Sequence, residues 1–388
     1  MPCRMKPADT EDWTGTWATA PQLVEPGNLA PEPGLAGNTL RQVVYVSIGG
    51  RRSRVRFSNA YGNGPLELRR VELARSRGGH AIEAATSRPL HFAGVAAVTI
   101  PAGASITSDS LDFSVEPQTQ LAVTIAYGAV PSDVTGHPGS RTTSFLVSGD
   151  ATGQASLSSA TRVEHWYTLA GIDVVSEGAS GAVVTLGDSI TDGRGSTTDG
   201  NDRWPDNLSR RLRASPATSG VAVLNLGIGG NAVLSGGLGP TASTRFDRDV
   251  LEQSGARFAI VLHGVNDIGG ARNETVVAGL IGAYQRFVSA ARARGMRIYG
   301  APILPFAGSQ YDSPDHEAAR RAVNNWIRTP GNFDAVLDFD AAVRDPANPV
   351  ALLPAYDSGD HLHLSAAGYA RLAEAIDLEL FSAVRRPS

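Results

Sequence analysis

GAVVTLGDSITDG, residues 181–193, places a compact apolar strand directly before a turn that carries Ser189. Residues 182–186 are apolar or β-branched, which is typical of a short buried strand. A serine at a strand-to-helix turn has its Oγ lifted off the sheet edge, and the helix N-terminus favours developing negative charge. Asp188 and Ser189 are also good helix caps, so taken alone the tripeptide predicts a helix start more readily than a nucleophile.

The alternation of strand and helix continues through the C-terminal half of the chain. Further apolar segments are predicted as strands at 221–226, 258–262, 297–303 and 335–339. Helical stretches lie between them at 204–213, 276–294, 316–328 and finally 365–381, with Ser365 as the last N-cap. Such alternation is typical of a parallel sheet covered by helices on both faces. We therefore predict an α/β, doubly wound domain that binds its ligand at the carboxyl ends of the strands.

The N-terminal half shows short strand candidates between turn residues and almost no helical periodicity. The candidates are 40–49, 52–58, 66–73, 97–100, 120–127, 142–147 and 163–175. This pattern predicts an all-β sandwich or jelly-roll-like domain. We expect a tight hairpin at Gly49-Gly50 and a second one closed by residues 61–64 (YGNG) rather than a contact of that turn with the catalytic domain. The polar stretch 176–180 is the expected boundary between a β-domain, residues 1–176, and a catalytic domain, residues 177–388.

Composition excludes several classes of function. The 388 residues carry a net charge of −4, so nothing favours nucleic acid or an anionic membrane as partner. Cys3 is the only cysteine, which rules out an internal disulfide and a thiolate metal cage. No apolar run has the length of a membrane span, and the first 13 residues show no signal peptide. We expect a protein that is cytoplasmic, or secreted with its leader removed.

Two more polar turns follow predicted strands. Residues 225–231 (NLGIGGN) contain glycines that let the backbone approach a ligand; the GxGxxG spacing of a dinucleotide loop is absent. Residues 263–267 (HGVND) place Asn266, an amide that can donate to an oxyanion, beside Asp267, which can accept backbone N–H bonds from neighbouring loops. Each segment alone is also compatible with an ordinary turn.

The fourth segment is DHLH, residues 360–363, just before the predicted last helix. An aspartate three residues ahead of a histidine can accept the Nδ1–H, which leaves Nε2 free to take the proton of Ser189. His361 is the rival base, although its position directly after Asp360 suits this hydrogen bond poorly. A zinc site is disfavoured, because no further ligand stands at a metal-motif spacing and Ser189 would have no role. We predict Ser189, Asp360 and His363 as the catalytic residues, with no metal and no cofactor.

The order of these four segments resembles that of the SGNH hydrolases, also called GDSL-type esterases, over residues 181–381. GDSITDG matches the family's first block, GIGGN the second, GVND the third and DHLH the last; GDSI replaces GDSL. The resemblance implies an oxyanion hole formed by the N–H groups of Ser189 and Gly230 and the amide of Asn266. Gly229 is the alternative to Gly230, since the glycine run permits a shift of one residue.

The N-terminal half also resembles part of a known protein class. WTGTWATA, LRQVVYVSIGGRRSRVRFSNAYG and HPGSRTTSF are similar to bacterial two-domain GDSL esterases in which a jelly-roll-like domain comes first. The implied function is hydrolysis of short-chain carboxylic esters, with a small-molecule or carbohydrate ester as substrate. An acyltransferase or thioesterase with the same triad is the alternative, and a carbohydrate-binding protein with an inactive hydrolase domain is a third interpretation. The loops 305–313 and 353–356 are candidates for the pocket rim, and the sequence carries no signal for an oligomeric state.

Overall fold

The C-terminal half is built on a five-stranded parallel sheet, in a computed structural model that describes residues 11–271 and 275–382. Following the numbering of the whole chain, its strands are β16 (Gly181–Gly187), β17 (Val221–Gly227), β18 (Ala256–Leu262), β19 (Arg297–Gly300) and β20 (Ala335–Val336). They lie in the order β17-β16-β18-β19-β20, with every neighbouring pair parallel. The prediction of a doubly wound α/β domain is confirmed, and β16 stands at the point where the strand order reverses.

Helices α1 to α8 pack around this sheet. Their bounds are α1 (Ser189–Asp192), α2 (Trp204–Ala214), α3 (Ala242–Phe246), α4 (Val265–Gly269), α5 (Thr275–Ala293), α6 (Pro314–Arg328), α7 (Phe339–Val343) and α8 (Ala366–Glu374). Helices α2, α7 and α8 contact one another, while α3 to α6 form a second group. Two groups of helices are what the strand–helix alternation predicts for a sheet covered on both faces. Within the described ranges, no helix combines the length and apolarity needed to cross a bilayer.

The last predicted helix is shorter than expected. Ser365 is its N-cap and accepts a hydrogen bond from Gly368 N, as predicted, but α8 ends at Glu374 rather than near residue 381. Asp377 then caps a separate 3₁₀ turn, Leu378–Phe381, by accepting from Glu379 N. A second capping residue so soon after the first interrupts the helix, because its side chain satisfies N–H groups that would otherwise bond within the helix.

The N-terminal half is all-β and consistent with a jelly-roll-like domain. Its strands are β1 (Trp13–Ala18), β2 (Gln22–Leu23), β3 (Thr39–Tyr45), β4 (Arg52–Ser58), β5 (Leu66–Gly78), β6 (Ala81–Ile82), β7 (Arg88–Pro89), β8 (Val98–Ile100), β9 (Ser105–Thr107), β10 (Gln120–Tyr127), β11 (Thr135–His137), β12 (Ser144–Val147), β13 (Thr161–Val163), β14 (Trp166–Tyr167) and β15 (Leu169–Val175). One sheet has the order β1-β15-β4-β9, a larger one β13-β12-β3-β10-β5-β6, and a small one β14-β11-β2.

The predicted hairpin at Gly49-Gly50 is wrong. Strand β3 pairs with β10 and β12, whereas β4 pairs with β15 and β9 in a different sheet. A two-residue hairpin needs positive φ, which neither glycine has. The two glycines instead allow neighbouring main chains to approach closely. A Cβ on Gly49 would lie 2.4 Å from Val115 O, and one on Gly50 would lie 2.6 Å from Val175 O.

The interpretation of residues 61–64 as a hairpin turn is also wrong. This turn connects β4 to β5, which belong to different sheets. It reaches the other half of the chain, where Arg248 Nη1 donates to Tyr61 Oη at 2.8 Å. The alternative that sequence analysis disfavoured, a contact with the catalytic half, is therefore the observed one.

The two halves share one hydrophobic core. All six residues of β1 are buried, and this strand packs against β17 of the parallel sheet. Gly15 N donates to Ser254 O at 2.8 Å, and a Cβ on Gly15 would lie 2.9 Å from Leu224 Cδ1. The last strand of the β-half ends at Val175 and the parallel sheet begins at Gly181, while the division at 176/177 stays a prediction.

Candidate active site

Ser189 lies where β16 meets α1, at the carboxyl edge of the sheet. Asp188 is the N-cap of this one-turn helix, and its Oδ1 accepts from Ile190 N at 3.0 Å. The preceding turn has no room for a side chain, because a Cβ on Gly187 would lie 2.1 Å from Thr191 Oγ1. Ser189 N belongs to the first turn of a helix, where N–H groups have no intrahelical partner, so it can donate to a developing oxyanion.

His363 and Asp360 meet Ser189 in a chain of hydrogen bonds. Ser189 Oγ lies 2.8 Å from His363 Nε2, and His363 Nδ1 lies 2.7 Å from Asp360 Oδ2. Because a carboxylate only accepts, Nδ1 carries the proton and Nε2 faces the serine hydroxyl as an acceptor. The three side chains can therefore pass a proton from Oγ to the imidazole.

Protonation of this pair follows from its surroundings. Burial lowers the pKa of His363 below its ordinary value of 6.5, against the opposing effect of Asp360; the charges of Arg194 and Arg141 lower it further. Burial alone would raise the pKa of Asp360, but its hydrogen bonds with the N–H and ring of His363 bring it down to about 2. At neutral pH the imidazole is neutral and the carboxylate is ionised, the state that a general base requires.

His361 takes no part in this arrangement. Its Nδ1 lies 2.6 Å from Asp357 Oδ2, and the side chain is 55% exposed. The backbone of His361 is left-handed, with φ of 60°, so the two histidines of DHLH diverge to separate carboxylates. In the described parts of the chain, no cluster of three or more histidine, cysteine, aspartate or glutamate side chains could hold a metal ion.

The predicted oxyanion donors border the same cavity as Ser189. Asn266 Nδ2 donates to Asn231 O at 2.8 Å, and Asn266 Oδ1 accepts from Tyr311 Oη at 2.9 Å. These two bonds fix the orientation of the amide, and no other described residue accepts from its second N–H, which can bind an oxygen in the cavity. Gly229 and Gly230 both line the cavity, and Gly230 has a left-handed φ of 66°.

Asp267 holds the glycine-rich loop in place, as the sequence predicted. Its two carboxylate oxygens accept from Val233 N at 2.8 Å and Leu234 N at 2.9 Å. The loop that carries Gly230 is thereby tied to the helix that carries Asn266.

Sequence analysis missed the buried groups beneath the site. Arg245 donates to the main-chain oxygens of Gly187 and Leu226, at the ends of two adjacent strands, and to Asn231 Oδ1. Arg245 lies outside every motif of the sequence, so no local pattern indicated its role. Through these hydrogen bonds, Arg245 fixes the position of the turn that carries Ser189 relative to the glycine-rich loop.

Asp188, which the sequence indicated only as a helix cap, is a second buried group at the site. Burial raises the pKa of Asp188 to about 7; the nearby charge of Asp267 raises it, while the Ile190 N–H and Arg245 oppose the shift. A proton is thus held on this carboxyl group well above the pH at which a free aspartate ionises. The negative charge directly behind the nucleophile is correspondingly reduced.

The β-half reaches the site through His137. Its Nε2 lies 2.8 Å from Asp192 Oδ1 on the nucleophile helix, and its Nδ1 donates to Ala20 O at 3.0 Å. Both side chains are buried, at 3% and 2% exposure. The turn after His137 also packs closely against Asp192, because a Cβ on Gly139 would lie 1.7 Å from Asp192 Oδ2. The HPGSR segment, residues 137–141, is therefore packed directly against the helix of Ser189.

The catalytic cavity measures about 380 Å³ and has walls from both halves of the chain. The β-half contributes Gln22, Glu25, Asn28, Pro138, Gly139, Arg141 and His165 to its lining. Of the predicted rim loops, 305–313 supplies Gln310 and Tyr311, whereas residues 353–356 are not among the lining residues. A separate cavity of about 490 Å³, lined by residues such as Gly50 and Glu177, contains none of the candidate catalytic residues.

Residues 185–371 match the GDSL-like lipase/acylhydrolase family. The matched segment contains all five candidate residues and leaves out the β-half. A comparison with curated protein sequences gives no match.

Solved structures similar to this chain include two bacterial esterases or lipases. An acetylxylan esterase from Geobacillus stearothermophilus is 22% identical, with 51% of this chain and 92% of that protein covered and a TM-score of 0.39. A GDSL-like lipase from Bacteroides thetaiotaomicron is 20% identical, with 50% and 85% covered and a TM-score of 0.37.

Proposed function

Since residues 185–371 form a GDSL-like lipase/acylhydrolase domain, we propose that this carboxylic ester hydrolase is a serine esterase acting on short-chain esters through an acyl-enzyme on Ser189. The observation that carries the proposal is the hydrogen-bonded chain from Ser189 Oγ through His363 to Asp360 in one cavity. A nucleophile, a neutral base and an ionised orienting group are the parts that acyl transfer to serine requires.

In the first step, Ser189 Oγ attacks the ester carbonyl carbon while its proton passes to His363 Nε2. The carbonyl oxygen becomes an oxyanion, held by Ser189 N–H, Gly230 N–H and the free N–H of Asn266. Collapse of this intermediate breaks the bond to the alcohol, whose oxygen takes the proton from Nε2. Water then attacks the acyl-enzyme, with His363 again as base, and the carboxylic acid leaves.

The lining of the cavity supports a short acyl group and a polar alcohol. Apart from glycines and Tyr311, the apolar residues in its walls are Pro138, Leu238 and Leu362. So little apolar area gives a long alkyl chain only weak stabilisation, because the gain from burial scales with the area removed from water. We expect p-nitrophenyl acetate and propionate to be cleaved with higher kcat/KM than the octanoate.

The decisive experiment is Ser189→Ala assayed with p-nitrophenyl acetate. Loss of the nucleophile should remove nearly all turnover, since no other group in the cavity can form the acyl-enzyme. Ser196→Ala is the matched control, because Ser196 lies shortly after helix α1 and its hydroxyl donates to Gly193 O, its one partner among the described residues. Near-wild-type activity of Ser189→Ala would show the proposal to be wrong.

Transfer and hydrolysis are separated by product analysis with an added alcohol. With methanol present, hydrolysis gives mainly free acetate, whereas an acyltransferase gives mainly methyl acetate. We expect free acetate to dominate.

A further inference from the structure

The HPGSR segment ends in Arg141, whose side chain enters the wall of the catalytic cavity without a partner. Arg141 Nε is buried and has no hydrogen-bond partner among the described residues. Across residues 11–271 and 275–382, its guanidinium also forms no ion pair. A guanidinium carries five N–H donors and a permanent charge, so leaving it unpaired in a partly buried wall is unfavourable.

The main chain around Arg141 is, by contrast, firmly held. Its carbonyl oxygen accepts from Asp199 N at 2.9 Å, and the Asp199 carboxylate accepts from both Thr143 N and Thr143 Oγ1 at 2.7 Å. The backbone of Arg141 is left-handed, with φ of 51°. Non-glycine residues adopt this conformation rarely, and it persists only where surrounding contacts determine it. The side chain is thus presented from a fixed position.

The carboxylates near Arg141 form no ion pair with it in the part of the chain that the structure describes. Asp192 pairs with His137, and Asp360 pairs with His363. Glu25, which also lines the cavity, accepts from Gln22 Nε2 at 2.6 Å and Asn28 Nδ2 at 3.0 Å. Glu25 keeps its own negative charge, because both of these partners are neutral amides, while the N–H donors of Arg141 stay available to a substrate.

Arg141 lines the same cavity as Ser189 and His363. Its charge acts on His363 and on Tyr369, and His363 Nε2 must lie within hydrogen-bond reach of the departing oxygen. Because the acyl group of the proposed reaction is short, a carboxylate bound by Arg141 would belong to the alcohol half of the ester.

We infer that Arg141 is a specificity-determining residue that binds a carboxylate on the alcohol half of the substrate. This inference rests on the proposed esterase function. Guanidinium and carboxylate are planar and can form two parallel N–H···O bonds, a geometry that neutral groups do not match. The substrate class is an acetylated acidic alcohol, whose carboxylate comes from an acidic sugar or from an aromatic acid.

The test compares acetate release from two pairs of substrates that differ in charge. The aromatic pair is 4-acetoxybenzoate and 4-acetoxybenzamide; the sugar pair is O-acetylated methyl glucuronoside and O-acetylated methyl glucoside. We expect the anionic-to-neutral ratio of kcat/KM to fall about tenfold or more in Arg141→Gln for at least one pair, since a hydrogen bond to a charged group is lost. The pair that responds identifies the source of the carboxylate.

Controls separate this inference from the proposed function. Arg162→Gln removes an exposed arginine of the β-half that does not line the cavity, and it should keep the wild-type ratio. Arg141→Lys should retain part of the preference. An unchanged ratio in Arg141→Gln for both pairs, with acetate release still dependent on Ser189, would overturn the inference alone. Acetate release that survives Ser189→Ala would instead overturn the proposed function.

A measurement on the wild-type protein covers the case in which Arg141→Gln does not fold. Salt screens the attraction between a partly exposed arginine and an anionic substrate. In at least one of the two pairs, KM for the anionic member should therefore rise with ionic strength while KM for the neutral member stays constant. Equal salt dependence for the two members in both pairs would contradict the inference.

Discussion

The two sides of the catalytic cavity are built in different ways. On one side, Ser189, Gly230 and Asn266 follow strands β16, β17 and β18, and His363 precedes α8, so backbone geometry fixes their positions. On the other side, the β-half contributes loop residues, among them Glu25 and Arg141. The carboxyl ends of parallel strands lie at one edge of the sheet, so residues that follow the strands are brought close together. A wall built from loops can vary in sequence without altering the sheet. We therefore propose that the first side cleaves the ester bond and that the second selects the substrate.

The largest expected effect separates the two histidines of DHLH. His363→Ala should lower kcat by at least about 10⁴-fold, because it removes the base and proton donor. His361→Ala is the matched control and should keep most of its activity, since His361 pairs with Asp357 and is exposed. Steady-state kinetics with p-nitrophenyl acetate measures both. Equal losses in the two variants would contradict the assignment of His363.

The next effect concerns the oxyanion side. Asn266→Ala should lower kcat by about 10²–10³-fold with little change in KM, because the lost N–H acts mainly on the transition state. Tyr311→Phe removes the hydroxyl that orients this amide and should lower kcat by a smaller factor. A change confined to KM in Asn266→Ala would mean that the residue binds substrate instead.

A smaller effect tests the contact between the two sides. His137→Ala leaves the Asp192 carboxylate buried without its imidazole partner, so we expect the free energy of unfolding to fall by about 3 kcal/mol. His91→Ala is the control, since His91 is an exposed histidine of the same half. Denaturant unfolding compares the variants. If both were equally stable, the His137–Asp192 pair would not stabilise the junction.

The smallest effect links the β-half to the base through charge. Protonated His363 cannot accept the serine proton, so kcat/KM should fall as pH drops through its pKa, with a midpoint below 6.5. Arg141 disfavours the imidazolium, and Arg141→Gln should therefore move the midpoint to higher pH, by less than about one unit. The pH profile for a neutral ester measures this shift. A shift to lower pH would contradict the placement of Arg141 beside His363.

What the sequence predicted depended on local signals. The strand before Ser189, the glycine-rich turn, Asn266 and the spacing of Asp360 and His363 can each be read within a few residues, and the parallel sheet follows from their repetition. The choice between His361 and His363 also rested on a local constraint, the reach of one side chain.

The features that sequence analysis missed depend on contacts between distant segments. Gly49-Gly50 has the composition of a hairpin turn, but its flanking strands find partners elsewhere, and sequence alone does not specify which strands pair. Arg245 and the His137–Asp192 pair bring together groups separated by dozens of residues. The guanidinium of Arg141 has no hydrogen-bond or ion-pair partner among the described residues, a property that exists only once the chain has folded.

The burial of β1 against β17 has a consequence for chimeric enzymes. An exchange of β-halves between related chains would have to match the surface around Gly15 and Leu224, where a Cβ on Gly15 would lie 2.9 Å from Leu224 Cδ1 and would require this side chain to shift. A chimera joined at residues 176–180 would keep a continuous chain. It would nevertheless replace one of the two surfaces that pack against each other at β1 and β17. Grafting the loops that carry Glu25 and Arg141 onto the existing strands is therefore the practicable route to altered selectivity.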